Sequence, residues 1–172
     1  MTMENVGSRF DRLPERESER SVEGRPTRGE VLQFFTRRFG MSAGIFASYT
    51  FWEKGKGKIW AFRGEVPSPI EVETLGIHLL RTRQRFWKPT TDGIQLLGRH
   101  ATKNVVTLSR EDAVRFWRGE DQHLAWDGDQ GYVIVSHELG GAREPLGVGL
   151  AVDGELRSLV PKGRRRDLGT DP

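Results

Sequence analysis

The chain has 172 residues, 35% of them hydrophobic and 30% charged, with a formal charge of +3 and no cysteine. That length suits one domain, or one domain with a small extension. The absence of cysteine excludes disulfides, thiolate metal sites and a cysteine nucleophile. No apolar run approaches the roughly 20 residues that span a bilayer.

The N-terminus is rich in Glu and lacks an apolar core, so it does not read as a secretory signal, and a cytoplasmic location is expected. Residues 1–25 mix charges of both signs with Ser and Gly; Val6, Phe10, Leu13 and Val22 are their sizeable apolar residues, which predicts a disordered tail. A helix is predicted just after Pro26. Thr27 and Glu30 supply a capping box, and Val31, Leu32, Phe34, Phe35 and Phe39 recur at helical spacing before Gly40. A short helical turn follows Ser42. The stretch YTFWEKGKGKIWAF reads as strands Tyr49–Glu53 and Ile59–Phe62, joined by a lysine- and glycine-rich hairpin loop.

EVPSPIEVETLG, punctuated by Pro67 and Pro69, is a connector. IHLLRTRQRFW then reads as a strand whose second half carries Arg81, Arg83 and Arg85; at a spacing of two, these share one strand face. After Pro89, TTDGIQLLGRHA predicts a short helix with Ile94, Leu96 and Leu97 inward, and NVVTL a short buried strand. Ser109 and Asp112 open another helix, in which Ala113, Val114, Phe116 and Trp117 pack before Gly119 ends it. GYVIVSHE, PLGVGLAV and ELRSLV are three closing strands, the last two separated by Asp153-Gly154, a strong hairpin signal. Short connections and more strands than helices favour a small mixed sheet, curled into a partly closed barrel with helices at its ends, over a parallel α/β fold.

Charge is concentrated. Between Gly76 and Asn104, Arg81, Arg83, Arg85, Lys88, Arg99 and Lys103 face Asp92 alone, a net +5 in a chain of +3. Three arginines followed by Trp87 and Lys88 combine phosphate-binding charge with a ring able to stack on a base. The alternative is an edge strand protected by charge from aggregation. The loop KGKGK, with Lys54, Lys56 and Lys58, is not a Walker loop, because Gly57-Lys58 runs into a strand rather than a helix. It is either an auxiliary cationic contact for nucleic acid or a solvated turn. His78, His100, His123 and His137 show no ligand spacing, no G-x-S-x-G elbow is present, and Glu71/Glu73 and Asp127/Asp129 lie in loop-like sequence. No catalytic residue, metal or cofactor is read.

GIHLLRTRQRFWKPTTDGIQLLG, VVTLSREDAVRFWRGED and GYVIVSHE…EPLGVGLAVDGELRSLVPKGRRR together resemble the PUA-like domain at the C-terminus of RNA cytosine-5 methyltransferases of the RsmF/Fmu type. The shared features are the arginine-bearing strand before an R-F…P turn, a helix ending in R-G-E, a G-Y-V-I-V strand, a P-L-G-x-G strand and a closing P-K-G-x-R. The resemblance runs from about Ile59 to Arg166. Where the family commonly reads R-F-x-P-S-H, this chain reads Arg85-Phe86-Trp87-Lys88-Pro89-Thr90-Thr91. The family's methyltransferase domain is absent from this sequence, and a chain without cysteine cannot form the thiolate–pyrimidine adduct of that chemistry.

The resemblance implies an α+β fold, a PUA-like pseudo-barrel over residues 76–166. A helix-and-hairpin module over residues 26–75 would precede it, with disordered tails at 1–25 and 167–172. It implies a non-catalytic protein that binds structured rRNA or tRNA in ribosome biogenesis or RNA modification. The alternative is an adaptor that delivers RNA to a modification enzyme, or that holds such an enzyme or a pre-ribosomal protein through the Phe-rich helix. The expected RNA contacts are Arg81, Arg83, Arg85, Trp87, Lys88, Arg99, Lys103, Lys162, Arg164 and Arg165. In the closing segment ELRSLVPKGRRR, Leu156, Leu159 and Val160 should anchor the strand, Pro161 end its pairing, and the cations face outward beside the arginine strand.

Overall fold

The computed structural model describes residues 10–20, 23–64 and 76–166; the connector at 65–75, the tail at 167–172 and residues 1–9 lie outside them. The chain divides into two compact units, Met1–Arg37 with Met41–Lys88, and Arg38–Gly40 with Pro89–Pro172. The sequence reading places its boundary earlier, between residues 75 and 76.

The first unit is a five-stranded sheet with one helix. Its strands are β1 (Asp11–Arg12), β2 (Tyr49–Glu53), β3 (Lys58–Arg63), β4 (Ile77–Arg81) and β5 (Lys88–Pro89), in that order across the sheet. Helix α1 (Arg28–Phe39) begins where Thr27 Oγ1 accepts from the Glu30 N–H at 3.1 Å. The return half of the expected capping box is replaced, since the Glu30 carboxylate pairs with Arg20. Gly40, at φ +63°, stops the helix. Phe35, Phe46 and Phe51 are buried and form a chain of ring contacts, with centroids 5.3 and 5.8 Å apart.

Part of the tail expected over residues 1–25 is a folded element. Asp11 and Arg12 pair with Glu53 and Trp52, Phe10 packs edge-on against Trp60 at 5.6 Å, and Leu13 is buried. The apolar residues there are few, but an ion-pair network adds to them: Arg25 bridges buried Glu53 (3.0 Å) and Asp11 (3.3 Å).

The second unit is a mixed sheet of β6 (Val105–Leu108), β8 (Gly131–Leu139), β9 (Ala142–Val152), β10 (Glu155–Ser158) and β7 (Gln122–His123), in that order across the sheet. Strands β6 and β8 are parallel and the other neighbours antiparallel. Two helices accompany it, α2 (Thr91–Leu97) and α3 (Arg110–Trp117). Ser109 caps α3 as the sequence predicts, accepting from Asp112 (3.2 Å), and Thr90 caps α2, accepting from Gly93 (3.0 Å). Val106, Phe116, Val133, Val135, Ala151, Leu156 and Val160 form the core. The Asp153-Gly154 turn has positive φ at both residues (50° and 77°), the conformation that a two-residue hairpin with the twist of its strands requires. Pro145 sits beside the register shift between β8 and β9, the kind of irregular position at which a strand tolerates proline. The molecule is thus α+β, and the mixed sheet with its two helices fits the PUA-like pseudo-barrel.

Two local expectations fail. Val114 points out of α3 and is 38% exposed instead of packing. The arginine strand is shorter than its alternation suggests: β4 ends at Arg81, opposite Lys58, the first residue of β3. Beyond Arg81 the partner strand is gone. Thr82 hydrogen-bonds Gly57 O at the hairpin tip (2.8 Å), and residues 83–86 bend. Arg83 and Arg85 therefore do not share a strand face with Arg81.

Candidate nucleic-acid interface

In the first unit, the hairpin loop and the arginine segment meet because β3 and β4 are neighbours. Arg81 lies directly across from Lys58, and both are exposed. Like charges in opposed positions destabilise a strand pair, so this juxtaposition works against the fold. Gly57 lies so close to the next residues that an added Cβ would stand 2.8 Å from the Arg83 backbone nitrogen. The lysine tip and the bend are thereby held together. Lys56 is exposed at the tip, and Lys54 Nζ lies 4.9 Å from the Phe10 ring centroid.

Lys88, half-buried in β5, has its pKa lowered below 10.5, first by desolvation and then by Arg81. Among the described residues, no ion pair joins a carboxylate to Lys58, Arg81, Arg83, Arg85 or Lys88. The first unit thus gathers unneutralised cations on the neighbouring strands β3, β4 and β5 and on the bend between the last two. Trp87 is half-buried, its ring 5.7 Å from that of Phe34, so it serves packing. The exposed ring is its neighbour Phe86, which the sequence reading passed over. Phe86 is 66% exposed, with the Arg85 guanidinium 5.2 Å from its centroid.

Lys88 yields a testable outcome. Its lowered pKa means that the folded state holds this proton less tightly than the unfolded chain. Its penalty is therefore fully present at neutral pH and is relieved as pH rises through the window below 10.5. Lys88→Met should raise the melting temperature at pH 7, by a margin that narrows as pH approaches 10.5. Thermal melts across that range check it; a lower melting temperature at pH 7 contradicts it.

In the second unit, the closing segment keeps its expected apolar anchors, but β10 ends at Ser158, before Pro161, and beyond it the Leu159 N–H donates to Val148 O (3.2 Å). Leu156 and Val160 are buried and Leu159 is half-buried. Ser158 Oγ donates to Phe116 O (2.6 Å), and the Ser158 N–H donates to Asp121 (3.1 Å), which ties the strand to the end of α3. A turn closes from the Arg164 N–H to Pro161 O (2.9 Å). Lys162 is exposed.

The two arginines that follow are engaged internally. Arg164 pairs with Asp92 and reaches Gln95 at 3.5 Å. Arg165 Nε donates to Val160 O (3.0 Å), and its guanidinium packs against Gly119. Arg99 and Lys103 are exposed; Arg143 donates to Arg99 O (3.2 Å) and Ala101 O (2.6 Å).

Further cations escaped the sequence reading. Arg110, Arg115 and Arg118 line one depression with Glu111 and Val114 on the outer side of α3. Their spacing carries the signal, because about 100° per residue puts all five within an arc of roughly 140°. Among the described residues, no group of three or more His, Asp or Glu could hold a metal, and no helix is long and apolar enough to cross a membrane.

Comparison with known proteins divides the chain in a similar place. Residues 1–76 match a family of unknown function, DUF7122. Residues 103–166 match the family described as the methyltransferase RsmF PUA domain. Ribosomal RNA small subunit methyltransferase F of Aeromonas salmonicida (strain A449) is 26% identical over 113 residues, which cover 64% of this chain and 23% of that protein. The chain therefore spans less than a quarter of the length of this curated relative. Residues 103–166, which form most of the mixed sheet and α3, are thus similar to the PUA domain of RsmF-type methyltransferases.

Proposed function

We propose that the protein is a non-catalytic RNA-binding protein that acts on structured rRNA or tRNA in RNA modification or ribosome biogenesis. The observation that carries this reading is the unneutralised cation cluster of the first unit, where Lys58 stands opposite Arg81 and the pKa of Lys88 is lowered by desolvation and, after it, by the same arginine. A polyanion would convert that repulsion into attraction, and phosphate neutralisation supplies most of the affinity of such proteins. The RsmF-type PUA match over residues 103–166 supports RNA as the polyanion, since the similar relative is named for ribosomal RNA. Exposed Arg99, Lys103 and Lys162 offer further phosphate contacts on the second unit. Arg164 and Arg165 contribute if RNA displaces Asp92 and the backbone from them. The absence of cysteine supports a non-catalytic role relative to cytosine-5 methylation.

The form of the adaptor reading that holds a partner through the Phe-rich helix needs free surface on that helix. Phe35 and Phe39 are buried there, and Phe34 is half-buried against Trp87. RNA binding is therefore the better supported of the two. Crosslinking RNA to the protein in its own cells, followed by sequencing, tests the assignment. Enrichment of defined rRNA or tRNA positions is expected; recovery no greater than from an unrelated basic protein rules it out.

A further inference from the structure

Phe86, Val114 and Leu139 are the large hydrophobic residues that stand exposed among those described, and Phe86 is the aromatic one. A phenylalanine ring left in water forgoes the stabilisation that burial would bring. Its setting is also built rather than frayed. The hairpin tip receives two bonds from Thr82, N–H to Gly57 O (2.8 Å) and hydroxyl to the same oxygen (3.4 Å), and Gly57 abuts Arg83. The bend that lifts Phe86 outward therefore starts from a fixed point. Arg85 covers one face of the ring, which is the arrangement by which a guanidinium extends an aromatic platform. Lys58, Arg81 and Arg83 lie on the segments that lead into it.

We propose that this region of the first unit binds single-stranded RNA, with one unpaired base stacked on Phe86 and the flanking phosphates held by Lys58, Arg81 and Arg83. The proposal rests on the RNA-binding reading above and narrows it to unpaired nucleotides. A ring between cations suits an unstacked base, whereas bases in an A-form duplex are stacked on each other and offer no free face. The family match over residues 1–76 takes in Lys58 without assigning it a function, and the PUA match over residues 103–166 does not reach Arg81, Arg83 or Phe86, so the site lies outside the residues matched to the PUA domain.

The test uses the full chain and fluorescence anisotropy, with a labelled single strand of about 12 nucleotides and the duplex of the same sequence. Phe86→Ala should weaken the single strand by about tenfold while the duplex changes by less than about twofold, and Phe86→Tyr should retain affinity. A strand with abasic positions should bind wild type and Phe86→Ala alike. If wild type binds RNA but Phe86→Ala leaves single-strand affinity unchanged, or reduces duplex affinity equally, this inference fails and the RNA-binding reading stands. If wild type binds neither RNA, both fail. If Phe86→Ala weakens poly-glutamate binding but not RNA binding, the region belongs to an acidic protein partner and the proposal is overturned.

Discussion

Arg25→Met is expected to destabilise the protein by about 3–5 kcal/mol, the range for removing one partner of a buried ion pair. Asp11 and Glu53 face each other directly across β1 and β2, two carboxylates in opposed positions. Arg25 is what makes that tolerable, with its Nε 3.0 Å from Glu53 and its Nη2 3.3 Å from Asp11. The Glu53 side chain is 5% exposed and that of Arg25 12%, so water cannot substitute for the lost cation. Glu53 Oε2 already lacks a hydrogen-bond partner, which leaves the carboxylate dependent on its other oxygen.

A single domain is stable by only about 5–15 kcal/mol, so the loss would take a large share of the total. The companion variant separates charge from packing. Glu53→Met together with Arg25→Met removes both buried charges and should recover most of the loss, because an apolar pair of similar volume often replaces a buried ion pair at little cost. Urea unfolding of the two variants measures this. A midpoint for Arg25→Met indistinguishable from wild type would show that the bridge contributes nothing.

That bridge also marks where the sequence was hard to read. Phe10 and Leu13 are too sparse for a periodicity argument, and nothing local announces that Arg25 will meet a glutamate 28 positions later. Features settled within a few residues were legible. Thr27 and Ser109 cap their helices, and Asp153-Gly154 makes its turn. The similarity of residues 103–166 to the RsmF PUA domain was legible too, because an ordered set of short motifs survives where each motif alone is weak.

The site was legible in composition and not in geometry. The window rich in arginine was visible, but alternation carried the strand to Arg85, whereas the end of β3 at Lys58 stops it at Arg81. Length of pairing is a property of the neighbour and cannot be read from the strand itself. The same error selected Trp87 over Phe86 as the exposed ring. Arg164 and Arg165 looked free because Asp92 and Val160 O, their partners, are placed by tertiary contact. The arginine segment belongs to the first unit, and Lys162, Arg164 and Arg165 belong to the second.

The stability and the binding predictions pull against each other at Lys88, on β5. Replacing Lys88 should help the fold and harm RNA affinity, as expected where repulsive charge is retained for a ligand.

The salt dependence of RNA affinity tests the central claim most directly. With about five phosphates neutralised on partly single-stranded RNA, log affinity should fall against log salt with a slope of about −3.5, from roughly −0.7 per contact. Titrating the full chain with rRNA fragments at about 50, 100 and 200 mM salt should therefore show a loss of about a hundredfold across the range. An affinity that stays nearly constant with salt would mean that the exposed lysines and arginines do not hold phosphates.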